Sequence, residues 1–138
     1  MRKVIYKSVV LPAPAEELFV MYMTPSVHGA FTGAPVRIGE ETGYEFEAFE
    51  GRLQGTMLQV VRPRLIVQSW RSFHFRDNDP DSTLIISFTS EGHQGRIDLV
   101  HLDVPAHDYD AVNQGWEVRY FTPWLAYLER NQQGKGLK

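Results

Sequence analysis

A chain of 138 residues, 43% hydrophobic and 22% charged, matches one soluble globular domain able to bury a continuous core. A net charge of −3 argues against electrostatic capture by nucleic acid or an anionic membrane. The lack of cysteine removes disulfides, thiolate nucleophiles and cysteine-ligated metals, and no apolar run reaches membrane-spanning length.

The opening MRKVIYKSVVLP is too short and too broken by charge for a secretory core, so a cytoplasmic location is expected. Lys3 to Leu11 reads as a first strand that ends at a Pro-Ala-Pro turn. Pro14, with Glu16 and Glu17 in the first turn, starts a helix whose apolar residues Leu18, Phe19, Tyr22 and Met23 fall at helical spacing. Thr24-Pro25 stops it and starts a second short helix through Phe31. A brief strand is expected at Pro35–Ile38.

From Gly43 the period becomes two: Tyr44, Phe46 and Ala48 should face inward, with Glu45 and Glu47 outward. Leu53–Val61 and Leu65–Phe75 follow, separated by the turn Arg62-Pro63-Arg64. The cluster RDNDPDS is a loop. Thr83–Thr89 and Gly95–Val104 are the last two strands. Short turns between consecutive strands imply an antiparallel meander, since parallel strands need long crossovers.

The last third is the most distinctive. A helix is expected from near Asp108 to about Glu129, with Tyr109, Val112, Trp116, Tyr120, Trp124 and Tyr127 forming one stripe. Phe121, Leu125 and Leu128 form a second stripe beside it. Pro123 predicts a kink or break near Tyr120–Thr122. Gly115 is a poor helix former that would allow close approach of backbone to sheet. A face this wide suits a helix clasped by a concave sheet, with space for a ligand between them. The expected architecture is one α+β helix-grip domain spanning residues 1–138. It has a curved antiparallel sheet of six or seven strands around a long C-terminal helix, and two short helices after strand one.

Several separated segments, in order, resemble the family of activator homologues of the heat-shock-protein-90 ATPase, within the START-related, Bet-v-1-like (SRPBCC) superfamily. They are VVLPAPAEELFVMYMTP, GYEFEAFEGRLQGTMLQV, RPRLIVQSW, IDLVHLDVP and NQGWEVRYFTPWLAYLE. Leu99-Val100-His101 before the Val-Pro exit and Gly115-Trp116 on the helix are the most specific. Many members carry a tryptophan after the second short helix, where this chain has Phe31-Thr32-Gly33. The resemblance implies a cavity under the terminal helix. It implies no catalytic set.

His101 shares a face with Ile97 and Leu99 and should point inward, as a ligand's hydrogen-bond partner, a general base or a satisfied core histidine. Its removal is expected to alter ligand preference and leave the fold largely intact. Trp70 and His74 share a face with Ile66 and Gln68 and should line the same space, with Trp70 either stacking on a flat ligand or filling the core. Phe46 joins them from its strand, and Trp116, Tyr120 and Trp124 from the helix. These rings either line a pocket or fill it. The five histidines show no HxH or HExxH pairing, so neither a metal nor another cofactor is expected. No phosphate loop or nucleophile elbow occurs.

Three readings follow. The first is non-catalytic binding of a small hydrophobic or aromatic ligand in a closed cavity. The second is a co-chaperone-like module with a chaperone partner. The third is a cyclase- or hydrolase-type enzyme using the same cavity through His101 or a tyrosine. Monomer and homodimer both remain open, because an incomplete sheet leaves edge strands.

Overall fold

The computed structural model describes the backbone of residues 1–136 and the side chains of residues 1–131. The strands are β1 (Arg2–Leu11), β2 (Val36–Arg37), β3 (Glu45–Ala48), β4 (Leu53–Val61), β5 (Leu65–Ser72), β6 (Ser82–Glu91) and β7 (Gln94–Pro105). The helices are α1 (Ala15–Met23), α2 (Pro25–Thr32), α3 (Tyr109–Gly115) and α4 (Thr122–Gly136), with a π-helical turn at Trp116–Phe121. All seven strands form one antiparallel sheet of order β1-β7-β6-β5-β4-β3-β2. Strands β2 to β7 make the meander, and β7 closes it by pairing with β1. This is the α+β helix-grip architecture expected from the sequence.

Period two decides which side chains meet the helices. Ile66, Gln68, Trp70 and Ser72 of β5 are buried alternately, as are Ser82, Leu84, Ile86 and Phe88 of β6 and Ile97, Leu99 and His101 of β7. The helix α1 covers β6 and β7 with Leu18, Phe19 and Tyr22, and α2 lies against α4. The strands β4 and β5 run very close together at Gly55. A Cβ there would collide with the Ser69 carbonyl oxygen, so glycine alone lets β4 lie this close to β5.

Several expected boundaries shift for local reasons. Tyr44 lies ahead of β3 and is 39% exposed; its ring rests on Gly39, where a Cβ would come within 2.8 Å of it. The strand β5 stops at Ser72, three residues before Phe75, because the Ser72 hydroxyl takes the His74 N–H and turns the chain. The long helix runs on to Gly136, beyond Glu129. Leu125, expected in the second stripe, is 37% exposed, whereas Phe121 and Leu128 are buried.

Pro123 interrupts the helix, and the disturbance begins earlier than the expected kink. The Thr122 N–H reaches five residues back to the Glu117 carbonyl, the wide spacing of a π turn. The widened turn accommodates a residue with no N–H to give and a ring that presses on the carbonyl four residues back. It also turns adjacent residues Tyr120 and Phe121 inward together with Trp116.

Candidate functional site

Beneath the helical segment the rings divide into a filled end and a hollow end. At the filled end Trp124 stacks on Phe31, with centroids 4.5 Å apart, and its indole N–H meets the Met21 sulfur at 3.4 Å. Phe46 is buried nearby, 6.3 Å from the His28 ring. Neither ring borders the space at the hollow end.

At the hollow end α3 and the π turn stand off from the start of β4 and the end of β5. The gap is a cleft of about 300 Å³. Its apolar wall is Trp70, Trp116 and Tyr120, with Phe49, Leu53 and Val112 beside them. Trp116 lies 6.1 Å from Trp70 and 4.9 Å from Tyr120, and Phe49 meets Tyr120 edge-on at 6.1 Å. Exposed Arg52, Phe73, His74 and Arg119 form the mouth, so the cleft opens to solvent and is not the closed cavity anticipated.

Of the seven candidates, Trp70, His74, Trp116 and Tyr120 therefore line one space. Phe46, Trp124 and His101 do not. His101 is fully buried behind the wall, in a chain whose proton directions are fixed at both ends. The Trp116 indole N–H donates to Nδ1 at 3.2 Å, so Nε2 carries the ring proton and donates to the Ser82 hydroxyl at 2.8 Å. Ser82 then donates to the Trp70 carbonyl at 2.6 Å. Burial lowers the His101 pKa to about 3, so the ring is neutral and every polar atom is spent on protein. Its work is to hold the two indole-bearing residues of the cleft wall in place.

A second neutral histidine does the same for Tyr120. His28 Nδ1–H donates to the Tyr22 carbonyl at 2.8 Å, so Nε2 accepts the Tyr120 hydroxyl proton at 2.9 Å. Burial lowers the His28 pKa to about 4, against a smaller opposing effect of that carbonyl, and burial raises the Tyr120 phenol. The Tyr22 hydroxyl donates to Gln68 Oε1 at 2.9 Å, tying α1 to β5. In the sequence His28 stood out only as one of five histidines. Its partner Tyr120 lies 92 residues away, a distance no local spacing reveals.

Two further features were missed. The turn after β3 places Phe49 and Glu50 at φ of 51° and 58°, before Gly51 at 86°. Positive φ at a bulky aromatic is strained, and here it sets Phe49 over the cleft. Asp108 lies at the start of α3 without capping it and is 5% exposed. Its Oδ2 has no hydrogen-bond partner among the described residues, and its carboxyl lines the cleft. Burial raises its pKa, against the opposing pull of nearby His74 and Ser72.

Gly115 also lines the cleft, and its expected close approach to the sheet is absent. Its dihedrals are helical, φ −58° and ψ −36°, and an added Cβ would meet only the Arg119 side chain, at 3.9 Å. What glycine leaves here is open volume. Among the described residues, no group of three or more His, Cys, Asp or Glu is placed to hold a metal ion, and no helix is long and apolar enough to cross a membrane.

This sheet, gripping one broken helix above a ring-lined cleft, defines a protein of the helix-grip fold. Residues 12–127 match the family described as activator of Hsp90 ATPase homolog 1-like protein, and the chain belongs to that family. It is 27% identical over 119 residues to the human activator of 90 kDa heat shock protein ATPase homolog 1, covering 86% of this chain and 35% of that protein. The mouse counterpart is 26% identical over the same length, so the chain spans about a third of the curated relatives it matches. Among solved structures, an HSP90 activator from Plasmodium falciparum superposes with a TM-score of 0.83 at 19% identity, covering 91% of this chain and 96% of that one. CalU16 from Micromonospora echinospora superposes with a TM-score of 0.72 at 21% identity, covering 86% and 70%. At these identities the two structures speak to the fold alone.

Proposed function

We propose that the cleft beneath α3 and the π turn binds a small molecule with an aromatic or apolar body, and that the protein acts by binding without catalysis. The observation that carries this is Gly115. A glycine with helical dihedrals costs the helix about 0.5–1 kcal/mol relative to alanine, and no contact here requires its small size. Its effect is to leave the cleft open between Trp116 and Arg119. The strained turn at Phe49 and the unpartnered Asp108 oxygen meet at the same cleft, three departures from local stability around one space. An acid–base role for either histidine would need a ring nitrogen to spare, and both rings spend theirs on protein partners.

The test is cleft filling. Gly115→Leu places a side chain into the space while keeping helical dihedrals. N-phenyl-1-naphthylamine, a neutral fluorescent arylamine, should raise the melting temperature of the unmodified protein and leave that of Gly115→Leu unchanged. Equal shifts in both proteins would remove the cleft as the binding site.

A second reading is favoured by the family. The matched relatives are named as activators of a heat-shock ATPase, which supports a chaperone-contacting module. Phe73 at the cleft mouth, 60% accessible, and Val118 in the π turn, 70% accessible, offer exposed apolar contact points. Calorimetric titration of the chain with purified 90 kDa heat-shock protein tests this. A heat of binding lost in a Phe73→Ser, Val118→Ser double variant supports it, and no heat contradicts it.

A further inference from the structure

We infer that the cleft selects a ligand bearing an anionic group on its apolar body, held by the guanidinium groups of Arg52 and Arg119; this rests on the binding reading above. Both arginines line the cleft, one from the turn just before β4 and the other from the π turn. Neither has a carboxylate partner among the described residues, whereas Arg37, Arg62, Arg71 and Arg96 each sit on one. Instead each guanidinium lies over a ring at the cleft. Arg52 is 5.6 Å from the centroid of Phe73, and Arg119 is 5.8 Å from that of Phe49. The planar forks are thus parked on aromatic faces with N–H groups unspent, and a guanidinium meets a carboxylate or sulfonate with paired donors.

The rest of the lining fits the apolar part. Trp70, Trp116 and Tyr120 give flat surfaces for an aromatic body, while buried Asp108 supplies one free oxygen for a hydroxyl or amine on the same ligand. Asp108 is the single acid in the lining, set against two arginines.

The test uses two probes with one skeleton, 8-anilinonaphthalene-1-sulfonate and neutral N-phenyl-1-naphthylamine, titrated by fluorescence into the full chain. The sulfonate should bind about tenfold more tightly, the scale of two partly exposed ion pairs. That preference should vanish in Arg52→Gln, Arg119→Gln, return in Arg52→Lys, Arg119→Lys, and weaken with added salt. Circular dichroism checks that the variants are folded; both positions are exposed, so folding should persist. Equal affinity of the unmodified protein for both probes, or a preference that survives the double glutamine variant, overturns the anion assignment and leaves the binding reading intact. Binding of neither probe overturns both.

Discussion

At the residue scale, two buried histidines of one chain act as neutral struts. His101 satisfies Trp116 and Ser82, and His28 satisfies Tyr120 while anchoring to the Tyr22 carbonyl. Removing such a group strands its partners. His101→Ala leaves the buried Trp116 indole N–H unpaired, takes from the Ser82 oxygen the bond it accepts, and opens a cavity, at a cost of about 2–4 kcal/mol. Equilibrium urea unfolding should show that loss. The histidine was expected to tune ligand preference on a largely intact fold. A change in dye affinity at unaltered stability would return it to that role. Tyr120→Phe is the milder counterpart: it keeps the ring at the cleft but leaves His28 Nε2 unpaired, at about 1–3 kcal/mol by the same measurement.

At the element scale, backbone constraints set the cleft. Gly55→Ala forces a methyl into the Ser69 carbonyl and should cost roughly 3 kcal/mol, the upper end of overpacking penalties. Gly115→Ala should do the opposite and stabilise by about 0.5–1 kcal/mol. Thermal melts of the pair read both signs, and a destabilising Gly115→Ala would remove the argument from unneeded glycine. Much of this level was legible in sequence. Alternation at Ile66, Gln68 and Trp70 gave the inner face of β5. The four-residue spacing of Val112, Trp116 and Tyr120 gave the wall of the cleft, but Arg119, a charged residue outside both apolar stripes, was not singled out. Pro123 announced a break but not its form, because a π turn places the strain residues earlier than the proline. His74 reached the cleft through a turn, after the strand that was expected to carry it had ended. Arg52, Phe49 and Asp108 lay in turns, where no period shows which way a side chain points. The pairing of His28 with Tyr120 depends on how α2 docks against the terminal helix, which only the assembled fold fixes.

At the scale of the whole molecule, the buried histidines couple stability to acidity. Each takes a proton near pH 6.5 when unfolded, but only near pH 4 for His28 and pH 3 for His101 when folded. The stabilisation is complete above about pH 6.5 and is lost as the pH falls toward those values, since the unfolded chain then binds more protons. Asp108 works the other way: its raised pKa contributes stability at low pH that is lost as the pH rises through its folded pKa. The two large displacements outweigh the one, so urea unfolding should report a loss of roughly 2–4 kcal/mol between pH 7.5 and pH 5. Stability that is flat across this interval would mean that the rings are accessible or already protonated in the fold.

One end of the grip is hollow and the other filled, and the three tryptophans divide between them. Trp70 and Trp116 line the cleft, while Trp124 is stacked on Phe31 in the filled end. Heteronuclear NMR of the indole N–H signals during titration with N-phenyl-1-naphthylamine reads both ends in one experiment. The signals of Trp70 and Trp116 should move in a saturable way while that of Trp124 stays in place. Movement of Trp124 alone, or three unmoved signals at saturating dye, contradicts the account.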